Sequence, residues 1–213
     1  HHVLTWLGCC KAGAVYLAVN YLLRGPDIQY CINHSESTVF IVEDSLYELV
    51  KDVLAEMPTV KTLIWSGQGA GQNPPDEKFL EFDNWYQKYP DTEPDTILRI
   101  EDPCQMTYTS GTESRPKGVI INHQALLSQY MGCIFDGGYE SADININALP
   151  IYHCAQRDVF LNPIFYIGGT NILMGPDIGQ ILKNVEKYRA TMLFAPPTVW
   201  MGILRHPEFD SHD

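Results

Sequence analysis

The stretch MTYTSGTESRPKGVIINH, residues 106–123, concentrates small hydroxyls, two glycines and two cations between two apolar runs. Thr109, Ser110, Thr112 and Ser114 supply hydroxyl groups; Gly111 and Gly118 permit close approach to the backbone. Lys117, held between Pro116 and Gly118, supplies a point charge. Small residues on a tight strand-to-strand turn present backbone N–H groups and side-chain donors to one point. That arrangement wraps phosphate oxygens without steric conflict.

A Walker loop, G-x-x-x-x-G-K-[ST], is the first pattern to test. Counting from Gly111 brings Lys117 to the right position, but Pro116 replaces the second glycine and Gly118 replaces the Mg²⁺-binding Ser or Thr. The segment that follows, Val-Ile-Ile, is a strand pattern where a Walker loop requires a helix start.

Tyr108-Thr-Ser-Gly-Thr112 and Pro116-Lys-Gly-Val119 instead resemble the phosphate-binding signature of the adenylate-forming (AMP-binding) enzyme superfamily, with Glu113-Ser114 where Thr-Gly is usual. Lys11-Ala-Gly-Ala-Val-Tyr16, Leu149-Pro-Ile-Tyr-His153, Gly168-Gly-Thr and Ala195-Pro-Pro-Thr198 extend the resemblance over nearly the whole chain. The run Tyr152-His-Cys-Ala-Gln156 is most similar to fatty acyl-CoA synthetases. Aryl-CoA ligases and peptide-synthetase adenylation domains are the alternatives within the superfamily. A non-catalytic nucleotide binder and a structural fragment are the alternatives outside it.

The resemblance implies activation of a carboxylic acid by ATP to an acyl adenylate, followed by transfer to coenzyme A, with Mg²⁺ as cofactor. It implies that Thr109, Ser110, Gly111, Thr112, Glu113, Ser114, Lys117 and Gly118 bind the nucleotide. It further implies that Thr109 contacts the metal and that Lys117 and His153 are catalytic. Glu113 places a carboxylate beside a triphosphate site, where it must point away, contact Mg²⁺ or weaken binding. His153 resembles the histidine that lies beside the carboxylate; the alternative is a histidine that caps a helix start. Arg157 is read as a surface salt-bridge partner or an anion contact, Tyr152 as core or ligand contact, and His123 as a helix cap or loop contact. The family's later Tyr-Gly-x-Thr-Glu segment, ribose-binding Asp, hinge and catalytic Lys are not found in these 213 residues. The expectation is therefore an inactive interior fragment of one large N-terminal domain, with sub-parts 1–100 and 101–213 and without the C-terminal domain.

The elements that must position these residues alternate. Helices are expected over Val3–Leu17, from Gly25-Pro26-Asp27 to His34 with Pro at the first turn, from Ser45 to Ala55 behind a Ser45–Glu48 capping box, and over Phe82–Tyr89. Strands are expected at Thr38–Val42 and Lys61–Trp65. The second half gives strands at Gln105–Thr109, Val119–Ile121, Ile144–Leu149, Thr170–Met174 and Thr191–Ala195. Its helices are His123–Phe135, Ala155–Tyr166 interrupted near Pro163, Asp177–Tyr188 and Pro197–Arg205. Such alternation predicts an α/β fold, mostly parallel sheet with helices on both faces. Phe160, Ile164 and Phe165 are candidates to line an apolar slot beside His153.

Bulk properties agree with a packed globular protein: 45% of residues are hydrophobic and 19% charged. A net charge of −12 argues against nucleic acid as a partner, while leaving room for a compact anion at local donors. No run approaches the length of a transmembrane segment, and the first residues carry no signal-peptide pattern. The six cysteines show no C-x-x-C or zinc spacing, so buried free thiols in a reducing cytoplasm are expected. A homodimer is left open.

Overall fold

The computed structural model describes residues 1–109 and 115–212. The chain divides into two compact units, His1–Asn122 and His123–Asp213.

In the first unit, helix α1 (His2–Ala12) is shorter than its apolar run suggests. Gly13 takes the left-handed conformation (φ 72°) and closes the last turn on the Cys9 carbonyl, so Tyr16–Leu17 leaves the helix to become strand β1. Helix α2 (Gly25–His34) carries Pro26 and Asp27 in its first turn and His34 in its last, as expected. Strands β2 (Val39–Glu43) and β3 (Thr62–Ser66) pair in parallel. A third strand, β4 (Phe79–Glu81), joins β3 in parallel and was not anticipated; at three residues it carries no readable alternation. Helix α3 (Phe82–Tyr86) follows directly. The core of this sheet joins Ile28 and Ile32 of α2 to Phe40, Val42, Trp65 and Phe79. Tyr47, Trp65 and Phe79 meet edge to face, with centroids 5.4–5.9 Å apart.

The expected helix from Ser45 does not form. The chain makes 3₁₀ turns at Asp44–Leu49 and Leu54–Glu56. The Ser45 hydroxyl donates to Glu43 at 2.6 Å and Glu48 accepts from Lys51, so neither side chain caps. Asp44, buried, takes over the local geometry. Its carboxylate accepts backbone N–H bonds from Ser45, Gly69, Ala70 and Gln72 at 2.7–2.9 Å, tying the glycine-rich connection to the end of β2.

A second sheet of this unit has the order β1-β5-β6. Strand β5 (Pro103–Thr109) lies parallel to β1 and antiparallel to β6 (Lys117–Asn122).

The second unit opens with helix α4 (His123–Gly137), which packs against a π-helical turn (Ala155–Leu161) and helix α5 (Asn162–Tyr166). Strands β7 (Ile144–Asn147), β8 (Thr170–Leu173) and β9 (Met192–Leu193) form a parallel sheet of order β8-β7-β9. Helix α6 (Ile178–Tyr188) is capped by Asp177, which accepts from the Gln180 N–H at 2.8 Å. Helix α7 (Pro197–Leu204) starts at its proline. Ile146 packs with Ile181, Leu182 and Ile203 of these two helices.

Five of the six described strand pairings are parallel, so the fold is α/β with mostly parallel sheets. Among the described residues no helix is long and apolar enough to cross a membrane. All six cysteines are free thiols, but only Cys31 and Cys104 are buried; Cys154 is exposed.

Candidate active site

Thr109 ends β5 and Lys117 begins β6, and the antiparallel register pairs them directly, with Tyr108 opposite Gly118. The two ends of the hydroxyl-rich segment therefore meet. Both Thr109 and Lys117 are exposed, and the Thr109 hydroxyl donates to the Lys117 carbonyl at 3.5 Å. A β-carbon at Gly118 would meet the terminal methyl of Met106, which would have to swing aside. Ser110, Gly111, Thr112, Glu113 and Ser114 lie outside the described residues.

The segment's ends are held by α2, a role the sequence did not reveal. The Tyr30 hydroxyl donates to the Pro116 carbonyl at 3.2 Å, and the Arg115 guanidinium lies over the Tyr30 ring, 5.2 Å from its centroid. The Tyr108 hydroxyl donates to the Cys31 carbonyl at 3.1 Å and lies 2.8 Å from His34 Nδ1. Because a phenol has one proton, this pairing makes His34 Nδ1–H the donor to Tyr108. Burial, helped by Cys31 and Tyr30, pushes the Tyr108 phenol up to about 12, so it stays a neutral donor. These partners stand 74 to 86 residues from the segment, beyond the reach of local pattern reading.

In the second unit, His153 sits in the turn that follows β7 and is exposed. Its Nδ1 accepts the Ala155 N–H at 3.1 Å, so the ring proton resides on Nε2. The residue thus caps the π-helical turn with one nitrogen and presents a donor with the other. Tyr152 is half-buried beside it, ring centroids 6.5 Å apart. The apolar slot expected from Phe160, Ile164 and Phe165 does not form as one face. Ile164 is fully buried, Phe165 is exposed, and Phe160 stacks on Phe194 at 4.4 Å.

Arg157 is neither a surface residue nor an exposed anion contact. It is 1% exposed and forks onto its own neighbour: Nε and Nη2 donate to Asp158 Oδ1 and Oδ2, both at 2.9 Å. His123 is the first residue of α4.

The family described as AMP-binding enzyme matches residues 1–213. The chain belongs to that family. A feruloyl-CoA synthase from an Amycolatopsis species is 28% identical over 210 residues, covering 98% of this chain and 39% of its own length. A long-chain-fatty-acid–CoA ligase of Thermus thermophilus is 27% identical over 220 residues, covering 99% of this chain and 38% of its own length. The chain therefore spans about two fifths of the length of these curated relatives. Among solved structures, the anthranilate CoA ligase AuaEII in complex with anthranoyl-AMP superposes with a TM-score of 0.87 at 22% identity, over 99% of this chain and 40% of that one. ATP-bound MatB from Rhodopseudomonas palustris gives 0.75 at 25% identity, over 97% and 39%. The fold of this chain is the one seen over about two fifths of these CoA ligase structures.

Proposed function

We propose that this chain is the part of an AMP-forming acid–thiol ligase that grips the ATP phosphates and contributes to the acid site. The carrying observation is the direct pairing of Thr109 with Lys117, which gathers an ammonium and a hydroxyl where the phosphate-loop pattern begins and ends. Supporting it is the family match over the whole chain.

In this reading the acid carboxylate attacks the α-phosphorus of ATP. The bond to the β-phosphate oxygen breaks, pyrophosphate leaves, and a thiol, coenzyme A, then displaces AMP from the acyl carbon. Lys117, with the donors of residues 109–118, stabilises charge that accumulates on the departing pyrophosphate. The exposed Thr109 hydroxyl suits a Mg²⁺ ion, which takes few protein oxygens and completes its shell with phosphates and water. When bound, Mg²⁺ neutralises phosphate charge. Ser110, Gly111, Thr112, Glu113, Ser114 and Gly118 complete the nucleotide contacts in this proposal.

The substrate is a carboxylic acid, with a fatty acid as the first reading from the Tyr152–Gln156 run. An aromatic acid is the second reading, favoured by the similarity to a feruloyl-CoA synthase and to the anthranilate ligase. ATP–pyrophosphate exchange by the full-length protein against fatty and aromatic acids separates the two. Exchange with no acid in either class would refute the proposal.

His153 gives a sharper test. Its Nε2–H donates to the acid carboxylate in this mechanism, a charge-assisted bond whose loss costs ~1.5–3 kcal/mol, about 10- to 100-fold. His153→Ala therefore lowers kcat/KM for the acid by about that factor and leaves ATP binding nearly unchanged. His153→Asn discriminates further. Asparagine is a good helix cap but lacks the Nε2 donor, so it shows the same loss. Wild-type activity in His153→Asn would reduce the histidine to a cap.

A further inference from the structure

We propose that Arg157 is a positioning residue for His153, with Asp158 holding its guanidinium in place. The proposal rests on the reading of His153 as an acid contact.

Arg157 binds three consecutive carbonyls of the turn that ends at His153. Its Nη1 donates to Ile151 and Tyr152 at 3.4 and 3.3 Å, and its backbone N–H donates to His153 at 3.2 Å. The His153 N–H in turn donates to the Pro150 carbonyl at 3.1 Å. One residue thus fixes the peptide planes on both sides of Tyr152 and the one leaving His153.

The guanidinium cannot drift, because Asp158 grips its other edge. Asp158 Oδ1 also accepts from Asn162 Nδ2 at 3.2 Å, and that amide reaches the Tyr130 hydroxyl of α4 at 2.9 Å. The other flank is tied to the sheet: Gln156 Nε2 donates to Asn147 Oδ1 at 2.6 Å, at the last residue of β7. The π-helical winding of Ala155–Leu161 supports this arrangement: Gln156, Arg157 and Asp158, three successive residues, are all buried.

Stability alone is a poor reason for the pair. Two charges at 2% side-chain exposure carry a desolvation penalty that well-packed apolar residues avoid. What apolar side chains cannot do is hold the Ile151 and Tyr152 carbonyls in one orientation, and with that turn the imidazole.

The test is a double-mutant cycle in the full-length ligase. Arg157→Lys keeps the charge but lacks the planar fork that serves Asp158 and the carbonyls together. In the His153 background it lowers kcat/KM for the acid roughly 10- to 100-fold, the scale of a small misplacement of a reacting group. ATP binding changes little, and the chemical shifts of the His153 ring protons change. In the His153→Ala background the same substitution costs less than about twofold. Equal losses in both backgrounds, or no loss in either, overturn the proposal. If Arg157→Lys does not fold, Asp158→Asn carries the same cycle, and failure of both variants to fold overturns it as well. Loss of the parent reading looks different: His153→Ala then leaves acid kinetics unchanged, and the His153 resonance shift in Arg157→Lys alone decides whether the arginine positions the ring.

Discussion

Replacing Lys117 by alanine in the full-length enzyme slows acyl-adenylate formation roughly 100- to 1,000-fold, the usual cost of removing one preorganised donor from a developing anion. Thiol transfer from a preformed acyl adenylate is much less affected, because pyrophosphate has already left. The geometry makes the substitution clean. Lys117 is exposed at the first position of β6, and its backbone carbonyl, not its side chain, takes the Thr109 hydroxyl. Truncation therefore removes charge without opening a cavity. Rapid-quench measurement of the two half-reactions, with thermal unfolding as control, checks the result. Equal slowing of both half-reactions would make Lys117 a structural residue. Arg at this position keeps the charge on a longer, planar head and is expected to recover only part of the rate.

The strands around this residue were legible because their signals are local. Thr-Tyr-Thr and Val-Ile-Ile flank the hydroxyl cluster, and strand propensity on both sides forces a hairpin. Gly25-Pro26-Asp27 announced α2 for the same reason. Ser45 and Glu48 had capping-box spacing, yet the decision was taken by Asp44 and the amides of residues 69–72, some 25 positions away. Val3–Leu17 looked like one helix because its apolar content runs past Gly13, whose left-handed turn is what ends it.

The second unit was harder to read for a different reason. Ile144-Asn-Ile-Asn147 alternates as a strand with one wet face would, but Asn145 and Asn147 are 0% and 1% exposed. Their amides bond one another, Asn171 of β8 and Gln156 of the π-helical turn, so the polar face is buried against polar partners. Arg157 was misplaced on the surface by the same logic, since a charged residue is rarely buried unless paired. Its partner is the next residue in the chain, a pairing that ordinary helical spacing does not bring together. The candidate site residues were named by pattern; the residues that hold the ends of that segment and the turn at His153 were not, because their partners are distant in sequence or out of helical phase.

Asp44→Ala is expected to destabilise the protein by roughly 2–3 kcal/mol, since hydrogen bonds to a charged group are worth ~1.5–3 kcal/mol each and the freed amides partly rehydrate. Rehydration is available because Gly69, Ala70 and Gln72 are exposed; only the carboxylate is buried. Desolvation works to raise the Asp44 pKa, but the N–H bonds from Gln72, Ala70, Ser45 and Gly69 outweigh it and hold the carboxyl below its ordinary value. A depressed folded-state pKa contributes stability that is present in full above the unfolded value of about 3.9 and is lost as pH falls through the folded value. The gap in unfolding free energy between wild type and Asp44→Ala is therefore constant from neutral pH down to about 5 and closes below about 4. Tryptophan fluorescence reports the change directly: Trp65 Nε1 donates to the Gln72 carbonyl at 2.7 Å, so loosening the loop exposes a buried indole. Asp44→Asn retains one acceptor and should fall between the two. A gap that widened on acidification would mean that Asp44 is held in its neutral form in the folded protein, and the anion would no longer be what binds the loop to the sheet.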